Sequence, residues 1–541
     1  MLGAWYALRE WGREGAARVD VRGIGCCVVR RGEMMSARRK ERLRAVDFWQ
    51  NVVRLYGAFK VTQLRVALVA SPRRKAELWN GYDTYCAAQI YALCVRLRGF
   101  YLKVGQFLGT RADFLKPVYI ASLSRLQDRV PPMPIEQVLG LLKDEMRELG
   151  YSVEEVFESV EADPLGSATI AQVHAAVIRK SFAKRHLHIA PSRRSVVIKL
   201  QYPEAEKLMH DDLANVRSLG AFLQRTELQF DVLSPIDELR EQVRHEFDFH
   251  REARNLNVAR TCLEPFQNKI TVPDPLHHLV SRRCLVMERM HGVPLTELEK
   301  ELQKRRISHH TRQRLGMSIL SNMATAYGKM LFETNIMQAD PHPGNVLLHK
   351  SGKSISLLDF GQVKSFEPSL VDAFAELILS MRSSSTCSGA DCGSGGDSKA
   401  EASALDHTVD LKRKMAALGI QTARIQGVSR SQVSSRLPNS ARADMGERTV
   451  FPQRRQSPEH VLLTTMFDTV EMAGVSNSPF EETSIMREIS VESFPQNLFF
   501  VLRTTQIFRG MSLGMGLGDK FSLLQSWEPF ARKRLLRTGR K

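Results

Sequence analysis

Met337 to Val363 reads MQADPHPGNVLLHKSGKSISLLDFGQV, and the rest of the chain takes its meaning from this stretch. It holds Asp340, then Asn345, then Asp359-Phe360-Gly361. Two short apolar runs, Val346-Leu347-Leu348 and Ile355-Ser356-Leu357-Leu358, are separated by Ser351-Gly352-Lys353. That order predicts loop, strand, tight turn, strand, loop. The hairpin would bring Asn345 and Asp359 to one end. Two oxygen ligands there suit Mg²⁺, which takes a few protein oxygens and completes its shell with phosphate oxygens and water. Asp340, upstream in the same loop, is placed to meet a nucleophile or order a water.

Asp, Asn and Asp-Phe-Gly in this order, with strands between the last two, resemble the catalytic and metal-binding segment of protein kinases. The chain has room for such a fold: 541 residues, 43% hydrophobic and 25% charged, enough for two lobes and extensions. A net charge of +18 and a pI near 9.7 favour anionic partners such as nucleotides or anionic lipid, or else a basic organellar protein with solvated Arg faces. None of the standard nucleic-acid-reading motifs is present, so no nucleic-acid partner is expected. The eight cysteines are scattered and form no pair of CxxC units, which indicates neither a zinc site nor a secreted disulfide framework. No apolar run reaches the ~18 residues of a membrane-spanning helix, so any membrane contact is expected to be peripheral.

Residues 1–43 are basic, with Arg30, Arg31, Arg38, Arg39, Lys40 and Arg42 near the end. A transit peptide would be basic but poor in acids, and Glu10, Glu14, Asp20 and Glu33 leave a disordered N-terminus as the alternative to organellar targeting. Residues 44–150 read as a helical extension. Within it, Lys103 and Gln106 are spaced to share a helix face, and Gly105 between them would let another backbone approach closely.

Lys103-Val104-Gly105-Gln106, Leu126-Gln127-Asp128 with Pro131-Pro132, and Ala339-Asp340-Pro341-His342-Pro343-Gly344-Asn345 together resemble the UbiB-type atypical kinases, also called AarF-domain kinases. The matching motifs run from about Phe100 to Leu535 and are interrupted by inserts. The resemblance implies an α+β, protein-kinase-like two-lobed fold: a small lobe over 151–292, a large lobe over 293–541, and the N-terminal helices packed over the active-site cleft.

Asp163 to His174, between strand-like Val153–Val160 and Ala175–Ile178, stands where a nucleotide-covering loop belongs. Kinases place G-x-G-x-x-G there, so that bare amides wrap the phosphates. Here Gly166 is followed by Ser167 and Ala168, similar to the family's Ala-rich loop, and all three are candidate nucleotide contacts. Lys199, closing the run Val196-Val197-Ile198, is the candidate phosphate anchor, with Glu252 as its partner. Glu246, Asp248 and Glu252 crowd one helical segment and need cations. The resemblance pairs Lys103 with Glu246, so that Lys103, Gly105, Gln106, Glu246 and Asp248 form a regulatory lid. Cys284 to Gly292 reads as a strand leading into a turn, and Glu288 and Met290 within it are candidate backbone contacts to adenine.

Departures from ordinary kinases narrow the activity. Gln338-Ala339-Asp340 replaces His-Arg-Asp, and no Ala-Pro-Glu follows Asp359-Phe360-Gly361, so a peptide-gripping platform is not expected. Gln338 also stands where the family usually has His, which leaves a family-typical hydrogen bond in question. Polar inserts are expected near 383–408 and 424–457, and Arg503 and Arg509, in apolar surroundings, should pair internally. The basic tail beyond Arg532 could touch anionic lipid.

In the expected site Asp340 positions the acceptor, Lys199 and Glu252 hold the phosphates of ATP or ADP, and Asn345 and Asp359 hold Mg²⁺. The resemblance implies a mitochondrial or plastid ATPase or small-molecule kinase. It would support ubiquinone-type quinone or isoprenoid-lipid metabolism, near a quinone-containing or anionic membrane and alongside partner proteins of a lipid-biosynthesis complex. The alternatives are a Ser/Thr protein kinase, and a non-catalytic lipid-binding chaperone switched by nucleotide.

Overall fold

The computed structural model describes residues 18–20, 32–109, 115–126, 132–168, 170–187, 193–203, 205–227, 233–304, 306–386, 397–424, 457–470, 489–495 and 497–539. Most of the basic N-terminal segment, Gln127 and Asp128, the middle of the first insert and most of the second lie outside them. The chain divides into two compact units. One comprises Arg13–Asn255 and Asp274–Arg289; the other contains Leu256–Pro273 and Met290–Lys541.

The first unit is built on an antiparallel sheet. Its strands are β1 (Arg18–Asp20), β2 (Phe157–Glu161), β3 (Gly166–Ser167), β4 (Ala171–Ile178), β5 (Ser195–Gln201), β6 (Pro275–Val280) and β7 (Cys284–Glu288). They lie in the order β1-β2-β4-β5-β7-β6, with β3 also paired to β4. The strand expected from Val153 starts only at Phe157. Ser152 accepts a hydrogen bond from the Glu155 amide at 3.1 Å, so Val153–Val156 forms one capped helical turn. A Ser followed by acidic residues is a helix-start signal that overrides the short apolar run.

Helices α1 (Gly32–Leu68), α2 (Pro72–Leu97), α3 (Gly99–Gly109), α4 (Ile135–Glu148), α5 (Ala205–Thr226), α6 (Leu233–Glu246) and the first part of α7 (Phe249–Leu263), with shorter helical turns between them, also belong to this unit. Val138, Leu142 and Met146 of α4 recur every fourth residue, and this stripe packs on Val160, Ile178, Val196, Ile198 and Val286 of the sheet. Burying each such side chain contributes about 1.5–3 kcal/mol. The chain turns between α2 and α3 through Arg98 and Gly99, both at φ 55°. Phe48 of α1 then stacks on Tyr101 of α3, centroids 5.0 Å apart, and Arg44 pairs with buried Asp212 of α5 at 2.6 Å. Burial pushes the Asp212 carboxyl up to about 6, against the pull of Arg44.

The second unit is mostly helical: α8 (Leu295–Lys304), α9 (His309–Thr334), α10 (Pro368–Thr386), α11 (Asp397–Ala417), α12 (Pro458–Phe467), α13 (Leu498–Gly514) and α14 (Leu523–Arg537). Helix on both sides of 387–396 differs from the polar insert expected near 383–408. The run from Ala404 and Leu405 to Leu411 and Met415 supplies good helix formers, and Leu411 and Met415 are buried. Long α9 is pinned by α14. The Trp527 indole donates to the Ala324 carbonyl at 3.0 Å, and Gly328 is required there, because a Cβ would lie 2.7 Å from Trp527 Cδ1. Helix α9 ends at Asn335 in the left-handed conformation. Arg534 grips the Asn335 side chain at 2.6 Å and Asp372 at 2.7 Å.

Four short strands follow: β8 (Ile336–Gln338), β9 (Val346–Leu348), β10 (Ile355–Leu357) and β11 (Val363–Ser365). The expected hairpin is present, with Val346 opposite Leu357 and Leu348 opposite Ile355, and Gly352 at φ 66° in its turn. Strand β8 pairs with β11, Ile336 opposite Ser365 and Gln338 opposite Val363.

Candidate active site

In the helical unit, two ladders set out the acidic residues. Where β8 leaves β11, the Ala339 amide donates to the Gln362 carbonyl at 2.8 Å; where the hairpin closes, the Leu358 amide donates to the Asn345 carbonyl at 3.0 Å. Asp340, Asn345 and Asp359 are therefore carried on adjoining backbone. His342 accepts from the Gly344 amide at 3.0 Å and so caps the single turn Pro343–Asn345. Asp359 Oδ1 accepts from the Gly361 amide at 2.8 Å, which fixes the orientation of that carboxylate. Phe360 beside it is fully buried.

Gln338 answers the question raised by its replacing a His. It is buried, receives the Tyr327 hydroxyl and donates to the Asp359 carbonyl. Burial, reinforced by the negative charge of Asp340, raises the Tyr327 hydroxyl well above its usual pKa, so it remains a donor. Arg503 of α13 donates to Asp340 Oδ1 at 3.0 Å, and Arg509 donates to the Thr465 carbonyl at 2.7 Å. Both arginines pair internally, as their apolar surroundings suggested.

In the sheet unit, Lys199 Nζ lies 2.7 and 3.0 Å from the two Glu252 carboxylate oxygens. Exposure of the two side chains is only 12% and 2%. The ammonium also stands 5.3 Å from the centre of the Phe249 ring. Lys199 lies within β5 rather than at its end. Lys103 of α3 forms an ion pair with buried Glu246. Glu246, Asp248 and Glu252 do not share one helix. Glu246 closes α6, Asp248 falls in the break, and Glu252 lies in the first turn of α7. The break separates the charges. Asp248 accepts from the Arg251 amide at 3.2 Å and caps α7, where a carboxylate is favoured by the helix dipole.

Gly105 is needed for a different reason from the one expected. A Cβ there would lie 2.4 Å from Leu126 Cδ1 and 2.9 Å from Cys94 Sγ, so side chains, not a backbone, crowd it. Gln106 is on α3, but its side chain is outside the described residues.

The 163–174 segment, apart from Thr169, which lies outside the described residues, pairs Gly166 with Val173 and Ser167 with Gln172 in antiparallel register. Its own groups occupy part of the loop. The Ala168 amide donates to the Ala171 carbonyl at 2.9 Å, and the Ser167 hydroxyl meets Tyr202 at 2.5 Å. A Cβ at Gly166 would meet nothing within 4 Å. Buried Gln172 holds the Met133 amide at 2.8 Å. Glu288 ends β7 with its amide bound to the Asp274 carbonyl at 2.9 Å; Met290 begins the 290–541 segment of the helical unit.

Sequence reasoning did not connect Tyr327 with Gln338, or Arg503 with Asp340. Arg503 lies 163 positions from its partner, and no local spacing reveals such a pair.

Residues 125–386 match the ABC1 atypical kinase-like domain family. An uncharacterized Synechocystis protein is 29% identical over 297 residues, 53% of this chain and 68% of that protein. An uncharacterized aarF domain-containing protein kinase of Arabidopsis thaliana, described as chloroplastic, is 30% identical over 278 residues, 50% of this chain and 47% of that one. A probable protein kinase UbiB of Marinobacter nauticus is 30% identical over 276 residues, 50% of this chain and 46% of that one. The chain thus spans about half the length of two of these three relatives. It carries an ABC1/AarF atypical kinase-like domain, of the group that includes proteins named UbiB and AarF domain-containing protein kinase.

Proposed function

We propose that this protein binds Mg·ATP and acts as an ATPase or small-molecule kinase in quinone or isoprenoid-lipid metabolism. The observation that carries the reading is the buried Lys199–Glu252 pair at 2.7 Å in a chain that also sets Asp340, Asn345 and Asp359 on adjoining backbone. A lysine held this way presents a fixed cation to phosphate oxygens. An amide oxygen and a carboxylate form a donor set that Mg²⁺ accepts alongside phosphate, so Asn345 and Asp359 would hold the ion; when bound, it neutralises charge on the transferred group. Asp340 would orient the attacking water or hydroxyl. Gly166, Ser167 and Ala168 would meet the nucleotide from the loop, and Glu288 and Met290 would offer backbone groups to adenine. Lys103, with Glu246, would regulate access.

The absence of an Ala-Pro-Glu segment in the sequence favours a small acceptor over a protein. Among the described residues no helix is long and apolar enough to cross a membrane, and a basic surface would meet an anionic membrane peripherally. The chloroplastic relative and the basic N-terminus support a mitochondrial or plastid setting. Phosphate release from Mg·ATP by the wild-type chain and by Asp359→Asn tests the activity. Quinone and isoprenoid-lipid profiles of cells carrying Asp359→Asn test the pathway. Equal phosphate release from both chains would overturn the reading.

A further inference from the structure

Asp340 is held from outside its own loop. The loop carries Ala339 where kinases carry Arg, and the guanidinium that reaches Asp340 comes from α13, beyond the matched stretch 125–386. We propose that Arg503 is the positioning residue for Asp340, fixing one carboxylate oxygen so that the other faces the acceptor. This rests on the role given to Asp340 above.

Three observations point to function over stability. First, the two side chains are 31% and 30% exposed, and ion pairs of that exposure contribute only about 0–1 kcal/mol. Second, Arg503 Nε is buried with no hydrogen-bond partner among the described residues, at a cost of about 1–3 kcal/mol for such a group. Third, α13 is firmly seated. Arg509, nearly two turns further along, is tied to the carbonyls of Thr465 and Asp468. Phe508 packs edge-on against Tyr327, centroids 5.4 Å apart. Arg503 therefore reaches Asp340 from a fixed base. The same helix supports Tyr327, which holds Gln338, which in turn holds the Asp359 carbonyl. One helix thus holds the Asp340 carboxylate directly and, through Tyr327 and Gln338, the main chain at Asp359. An unbraced carboxylate samples other rotamers, and misplacement by an ångström lowers rate while leaving nucleotide contacts alone.

The test uses the full chain, with Mg·ATP hydrolysis in steady state, binding of a fluorescent ATP analogue, and thermal melting. Arg503→Ala is expected to lower kcat by about ten- to a hundredfold, with KM for ATP and analogue affinity unchanged within about twofold. Arg503→Lys should recover part of kcat, and millimolar guanidinium added to Arg503→Ala should recover part as well. If Arg503→Ala melts early, Arg503→Lys carries the test alone: a reduced kcat at unchanged KM supports the proposal, and wild-type kcat overturns it. A normal or raised kcat in Arg503→Ala, or a loss of analogue binding in parallel with kcat, also overturns it. Should the wild-type chain itself release no phosphate, the functional reading falls and this proposal with it. Activity in wild type that the variants match removes the Arg503 proposal only.

Discussion

Gln338 and Asp359 are joined side chain to main chain: the Gln338 amide donates to the Asp359 carbonyl while its oxygen accepts the Tyr327 hydroxyl. Gln338 and Tyr327 are buried, so Gln338→Ala would leave the Tyr327 hydroxyl and the Asp359 carbonyl without this partner. A loss of about 1–3 kcal/mol is expected, read as a shift in denaturant midpoint. The loop holding Asp359 should loosen too, raising the Mg²⁺ concentration needed for half-maximal turnover. Gln338→His, which can still donate to the carbonyl, should be milder on both counts.

Lys199 and Glu252 should behave as a unit. Removing one member of a buried ion pair costs about 3–5 kcal/mol, because the charge left behind has lost its counterion. Lys199→Met and Glu252→Gln should each lower stability and weaken binding of a fluorescent ATP analogue at least tenfold. In urea denaturation the double variant should be more stable than the sum of the single changes predicts. Additive losses would mean the pair is not coupled.

Helix α3 offers two separable changes. Lys103→Ala removes the cation on buried Glu246 and is expected to raise self-labelling with radioactive ATP. Gly105→Ala instead drives a methyl into Leu126 and Cys94, an overpacking cost of about 1–3 kcal/mol, seen as a lower melting temperature. Unchanged labelling in Lys103→Ala would remove the regulatory role.

How far this geometry could be read from the chain differs from place to place. The hairpin from Val346 to Leu357 and its turn follow local rules, apolar strands around a Ser-Gly-Lys turn, whereas the pairing of Lys199 with Glu252, 53 positions apart, came from the kinase pattern of a strand lysine held by a helix glutamate. The family likeness pointed to Lys103 and Glu246. The break at Asp248 escaped notice because the acidic run Glu246–Glu252 has helical spacing and no Pro or Gly. Capping by a lone Asp only becomes visible with the backbone in place. The partners of Asp340 and Gln338 escaped for another reason. Arg503 is remote in sequence, and Tyr327 looks like one more core aromatic on α9.

Acid should weaken the helical unit at a defined place. His460 is buried beside His407, and burial first, then that neighbour, lowers it from 6.5 to about 4. A depressed value in the fold means the neutral ring is preferred there, so stability is full above pH 6.5 and is lost as pH falls toward 4. The loss attributable to this ring is up to about 3 kcal/mol. His460→Gln should flatten the stability profile in that window, measured by urea midpoints at successive pH values; an unaltered profile would assign the acid sensitivity elsewhere.

The clasp of Trp527 on Ala324 and Gly328 bears on how the protein is made. Its two sides are separated by 203 positions, so a ribosome delivers α9 long before the helix that locks it. During synthesis the segment leading into Asp340 must wait with its apolar flank uncovered, a state in which chaperones bind and proteases cut. Newborn chains paused before Leu523 should therefore be fragile in a way that completed ones are not.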